Sequence, residues 1–162
     1  MRTLIAMLAG VLAAGSVHAQ AGIACTVTMS SGVLSFGNVV PISPVGVSTL
    51  LGDFIVRCAN SGNSARNVRL RMAISAGSSG TAAQRQMTRP GSAVPLLYNL
   101  YEDVTYTTVW TATTGGRPDE ILSVPAGATA ELRRQVFGRI PGSQTTVTVG
   151  RYTDALVADV RY

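Results

Sequence analysis

Large apolar residues in this chain recur at every second position, in short runs cut by turn-forming clusters. Val68, Leu70, Met72 and Ile74 give the clearest case, with Arg69 and Arg71 between them. Successive side chains of a strand point to opposite faces, so the period of two marks a half-buried strand, which a helical period of 3.6 does not match. The final stretch repeats the pattern: Leu156, Ala158, Val160 and Tyr162 share one side, and Val157, Asp159 and Arg161 the other. Shorter runs pair Cys25 with Val27 and Met29, Leu34 with Phe36, Phe54 with Val56 and Cys58, and Leu96 with Tyr98 and Leu100. Thr129–Ile140 alternates as well, and Thr105–Thr111 collects strand formers. Ser30-Ser31-Gly32, Asn60–Ser64 and Pro141–Gln144 read as turns. Ala76–Ser92 is a long Gly/Ser/Thr-rich excursion, either a surface loop or a crossover holding a short strand. No useful helical periodicity follows the first twenty residues, so the expectation is an all-β sandwich.

The first nineteen residues have a different character. Arg2 supplies a positive start, Leu4–Ala14 an apolar run too short to span a bilayer comfortably, and Val17-His18-Ala19 a small-x-small cleavage pattern. Residues 1–19 are therefore expected to be a signal peptide, with a mature chain from Gln20; cleavage after Ala21 is the close alternative. Residues 20–162 then form one exported domain, and no second apolar segment is long enough to cross a membrane. The destination is the periplasm in transit, then the cell surface or the medium. The last strand runs to Tyr162, so the sheet it ends is expected either to close that edge some other way or to leave it open.

Two cysteines, Cys25 and Cys58, in an exported chain point to one disulfide. All basic residues are arginine, twelve of them after Arg2 is removed, against eight acidic residues. Many sit at outward strand positions and no basic cluster is interleaved with aromatics, so a solvated face is expected rather than a nucleic-acid surface. His18, the only histidine, would leave with the signal peptide. That removes Ser-His-Asp and Cys-His nucleophiles and the usual zinc sites, and there is no phosphate-cradling glycine loop. The pairs Glu102-Asp103 and Asp119-Glu120 are neighbours whose side chains diverge on an extended chain, and no EF-type spacing supports calcium at Asp103, Asp119 or Asp154. No catalytic, cofactor or metal site is expected, and the chain is read as a non-enzyme. Tyr101, Tyr106 and Trp110 are candidates for an adhesive or carbohydrate-binding surface, although such residues more often pack in sheets.

Several strings, in order along the chain, resemble one family. They are Cys25 with Leu34-Ser35-Phe36-Gly37-Asn38, Val56-Arg57-Cys58, Arg85-Gln86-Met87, Tyr98–Asp103 with Trp110, Val136–Gln144, and Gly150–Asp154 through Tyr162. Together they resemble the spore coat protein U-like domain found in subunits of archaic chaperone–usher pili. That resemblance implies an incomplete immunoglobulin-like β-sandwich completed by donor-strand complementation, in which another chain adds the missing strand. It implies a periplasmic chaperone, an outer-membrane usher and neighbouring pilus subunits as partners, and a structural or adhesive role in a pilus or coat. The terminal strand carrying Leu156, Ala158, Val160 and Tyr162 is then expected to border the open groove.

A donor needs an apolar extension ahead of its first strand. Gln20–Ala24 offers five residues, about 17 Å of extended chain, with Ile23 as its one large apolar side chain. The chain is thus expected to accept a strand rather than give one, as a fibre tip or initiating subunit would. The competing expectation is a free-standing secreted sandwich that binds carbohydrate or another ligand.

Overall fold

A computed structural model describes residues 4–10, 21–113 and 119–162. The predicted cleavage pattern at Val17-His18-Ala19 and most of the loop at 113–118 lie outside the described residues. Among the described residues, eleven strands and one short 3-10 turn, Gly77–Ser79, carry the fold. The strands are β1 (Leu4–Gly10), β2 (Ile23–Met29), β3 (Val33–Val39), β4 (Val47–Asn60), β5 (Arg66–Ile74), β6 (Arg85–Met87), β7 (Leu96–Tyr101), β8 (Glu120–Val124), β9 (Thr129–Ile140), β10 (Arg151–Leu156) and β11 (Ala158–Arg161).

One layer is a five-stranded antiparallel sheet in the order β2-β4-β9-β7-β6. The other layer is built of two three-stranded ladders, β10-β1-β3 and β11-β5-β8. Only Val157 separates β10 from β11, so the two ladders meet along the terminal stretch. Ser75 holds that junction: its N–H donates to the Val157 carbonyl and its hydroxyl accepts from the Val157 N–H.

The alternation read from the sequence becomes the core. Val68, Leu70, Met72 and Ile74 are buried while Arg69 and Arg71 face solvent. Phe54, Val56 and Cys58 are buried on β4, and Leu96, Tyr98 and Leu100 on β7. On the terminal stretch Leu156, Ala158 and Val160 are buried, and Tyr162 is half-buried. Cys25 and Cys58 face each other across the β2–β4 ladder and form the disulfide. Two local devices adjust the register. Leu51 is an extra residue in β4, which turns its side chain inward while Leu50 stays out. Gly138 lies flat against the Phe36 ring and Leu51, and a side chain there would find no room.

Two expectations are corrected. Thr105–Thr111 forms no strand of its own despite its β-formers; it makes only one isolated bridge, Val109 with Tyr101 on β7. Asp103 organises it: one carboxylate oxygen accepts from the Thr105 and Thr107 N–H groups and the Thr105 hydroxyl, and the other from the Thr108 N–H at 2.6 Å. These local bonds give the backbone an alternative to a ladder. Tyr106 sits there with φ of 58°. The second correction concerns Trp110, which is fully buried and stacked on Phe54 with ring centroids 5.4 Å apart. It belongs to the core, where its large apolar ring gains most from burial, and cannot form an adhesive surface.

Candidate functional site

The feature that sets this sandwich apart is the place of β1. It lies between β3 and β10, parallel to β10 and antiparallel to β3. Ile5–Gly10 pairs in register with Arg151–Leu156, and Leu4–Ala9 with Val39–Val33 around a bulge at Phe36. β3 and β10 have no direct ladder with each other. The strand they share comes from the segment read as the signal peptide. The inward side chains along these two edges are Leu34, Phe36 and Val39 on β3, and Tyr152, Asp154 and Leu156 on β10, all buried. Without β1 the two edges would expose an apolar cleft and two rows of unpaired backbone donors and acceptors.

Of the terminal residues expected to border a groove, Leu156 stands opposite Gly10 at the end of the β1 register. Ala158 and Val160 lie further on, in β11, paired with Ile74 and Met72. Tyr162 reaches the other layer, where its hydroxyl accepts from the Cys25 N–H at 3.1 Å. The β1-paired edge is therefore centred four to six residues earlier in the chain than the sequence pattern implied. On its other edge β10 exchanges two backbone bonds with the segment after β6, between Thr153 and Thr88.

Beneath β10 lies a buried polar network. The Asp154 carboxylate accepts from the Tyr98 hydroxyl at 2.6 Å and the Ser78 N–H at 2.8 Å. Gly77, with φ of +64°, lets the carboxylate approach; any Cβ there would collide with it. Arg85, also fully buried, is bound almost entirely by carbonyls, those of Ser75, Ile74 and Trp110, and by the Asn99 side-chain oxygen at 2.8 Å. Burial pulls its guanidinium pKa down, opposed by the nearby Tyr98 and Asp154. Burial pushes the Tyr98 hydroxyl up, and its bond to Asp154 pushes it further. Every donor of this cluster that the fold buries is matched, as low dielectric demands. Sequence reading named both charged residues, in family motifs and Asp154 also as a possible calcium ligand, but placed neither in the core. The signal was parity: Asp154 is two residues from Leu156 and from Tyr152, and Arg85 two from Met87, so each falls on an inward position.

The remaining candidates are placed as follows. Tyr101 and Tyr106 meet edge-on with centroids 5.6 Å apart, and Tyr106 meets Phe137 in the same way on the outer face of the five-stranded sheet. Asp103 is occupied by threonine donors, which hold its carboxyl well below the usual range, the Thr105 hydroxyl first. Asp119 is held by Arg71 and Arg69, and Asp154 by Tyr98 and Ser78. Among the described residues, no cluster of three His, Cys, Asp or Glu could hold a metal ion. No described helix is long and apolar enough to cross a membrane.

The family model described as Spore Coat Protein U domain matches residues 11–159. Protein U of Myxococcus xanthus is 30% identical over 151 residues, covering 89% of this chain and 80% of that protein.

Proposed function

This chain belongs to the Spore Coat Protein U domain family, and from that premise we propose that it is an exported structural subunit of a surface pilus or coat, completed by a strand from another chain. One observation carries the reading: β3 and β10 are joined only through Leu4–Gly10, a stretch with the sequence pattern of a signal peptide. Cleavage after Ala19 would remove that strand and leave an apolar cleft along Leu34, Phe36, Tyr152 and Leu156. A β-strand of matching alternation would fill it, gaining main-chain hydrogen bonds for affinity and side-chain pockets for specificity. In the periplasm a chaperone would occupy the cleft first; an outer-membrane usher and a neighbouring subunit would then replace it. An end-of-fibre position follows from the other terminus. Ile23 is already paired in β2 and buried, and the Gly22 carbonyl accepts from the Ser61 N–H, so cleavage after Ala19 would leave little chain ahead of the sandwich to give as a donor strand.

The test is to isolate residues 20–162 from the periplasm and ask what comes with them. The expected result is a one-to-one complex with a chaperone. Released from it, the chain should be stabilised by an alternating apolar peptide, the chain's own Leu4–Gly10 sequence being the first to try. A chain that purifies alone, unfolds cooperatively and ignores such peptides would point instead to a free-standing secreted sandwich. Immunogold labelling along the whole fibre would count against the end position.

A further inference from the structure

The outer face of the five-stranded sheet carries a feature that strand exchange does not use. Tyr101, Phe137 and Leu50 form a row across β7, β9 and β4, since Tyr101 pairs with Phe137 and Phe137 with Leu50. Next to this row, Arg139 pairs with Asn99 on β7 and Ser48 on β4. The Ala82–Ala83 segment folds over the sheet here, held by the Asn99 side-chain amide donating to both carbonyls, at 3.1 and 2.8 Å. The result is a cavity of about 180 Å³ lined by Ala83, Gln84, Asn99, Tyr101, Arg139 and Pro141, with Tyr98 at its floor.

Arg139 differs from most exposed arginines of the strands, sharing its lack of a partner among the described residues with Arg66 at the start of β5. Arg57, Arg133 and Arg134 are each bound to a glutamate, Arg69 and Arg71 share Asp119, and Arg161 has Asp159. Among the described residues Arg139 makes no hydrogen bond or ion pair, and neither does the Gln84 side chain beside it. No acidic residue stands at the ladder positions paired with it. The cavity thus offers a free guanidinium, a free carboxamide and the ring of a tyrosine braced by Tyr106.

We propose that this cavity is a binding site for an acidic sugar, a hexuronic acid residue of a surface or extracellular polysaccharide. The donor set fits that chemistry group by group. A guanidinium binds a carboxylate through two parallel N–H bonds. A carboxamide both donates to and accepts from ring hydroxyls. A tyrosine ring offers an apolar face to the C–H side of a pyranose while its hydroxyl stays wet. The volume lies below the roughly 300–1,000 Å³ of drug-sized pockets, so it admits one ring with its carboxylate rather than a longer segment. An acidic peptide would satisfy Arg139 and could pair its backbone with the carboxamide, but a flexible carboxylate side chain lacks the rigid C–H face that a pyranose sets against the tyrosine ring. The site lies in the layer opposite the β3 and β10 edges, so it stays open when those edges are filled.

The experiment is calorimetric titration of the mature chain, in the complex in which it is recovered, with a glucuronate oligosaccharide. The controls are its neutral methyl ester and a glutamate-containing peptide. The acid should bind about ten- to a hundredfold more tightly than the ester. Arg139→Gln should erase that preference while leaving the melting temperature unchanged, because the side chain is exposed and unpaired. Tyr101→Leu should weaken acid and ester together. Equal affinity for acid and ester, binding of the peptide as tight as the sugar, no binding to any of the three, or an unaffected Arg139→Gln would each overturn the assignment.

Discussion

Replacing Asp154 by alanine should destabilise the sandwich far more than replacing it by asparagine. Asp154 is buried on β10 and accepts from two groups that have no other partner of this kind, the Tyr98 hydroxyl at 2.6 Å and the Ser78 N–H at 2.8 Å. Alanine leaves both donors unsatisfied, at about 1–3 kcal/mol each. It also empties the space over Gly77 and strips buried Arg85 of an attractive charge. Relief from burying a carboxylate offsets part of this. The net is about 3 kcal/mol, or a melting temperature lower by roughly 6–12 °C for a domain of this size. Asparagine keeps an acceptor for Ser78 and can donate to the Tyr98 oxygen, so the charge and the acceptor for the Tyr98 O–H are lost but both groups stay in polar contact, and about 1–2 kcal/mol is expected. The assay is urea unfolding of the chain, with a Tyr98→Phe cycle to isolate the pair. A coupling of 0.5–3 kcal/mol is expected between residues in direct contact. If asparagine proves as damaging as alanine, charge rather than hydrogen-bond satisfaction governs the site. If alanine is neutral, the network contributes nothing and the account fails.

Three further outcomes are expected. The Tyr98 pKa is raised in the folded chain, so its contribution is complete below the unfolded tyrosine value of about 10 and is lost as pH climbs beyond it; melting curves from pH 8 to 11 should fall steeply above 10, and Tyr98→Phe should flatten that fall. Gly138→Ala places a methyl group 2.6 Å from the Phe36 ring and against Leu51; overpacking of this kind costs about 1–3 kcal/mol, and unchanged urea midpoints would show that Phe36 yields freely. Cys58→Ser opens a loop of 33 residues, worth about 3–4 kcal/mol in the chain-entropy treatment. Its accumulation should therefore drop several-fold, and normal levels in a protease-competent host would mean the bridge is not structural.

What the sequence determined by itself was the alternation and everything that rests on local chemistry. Period two named the inward residues of β5, β7 and the terminal stretch, because side-chain direction along a strand is fixed by the residue's own position. The same parity put Cys25 and Cys58 on one face, where the β2–β4 register brings them together. Ordered motifs across the chain gave the family, and the family match agrees. Tertiary structure decided the rest, because those features depend on partners distant in sequence. Thr105–Thr111 has strand composition, yet the Asp103 carboxylate captures its backbone donors first. Trp110 carries no mark that tells core from surface; the face of Phe54, 56 residues away, settles it. Arg85 and Asp154 are hydrophilic by type and buried because carbonyls, an amide oxygen and a hydroxyl from three separate segments converge on them. And no local pattern says that β3 and β10 meet only across a third strand. That depends on which edges remain unpaired once every other strand has found its neighbour, a property of the assembled sheet and not of any residue in it.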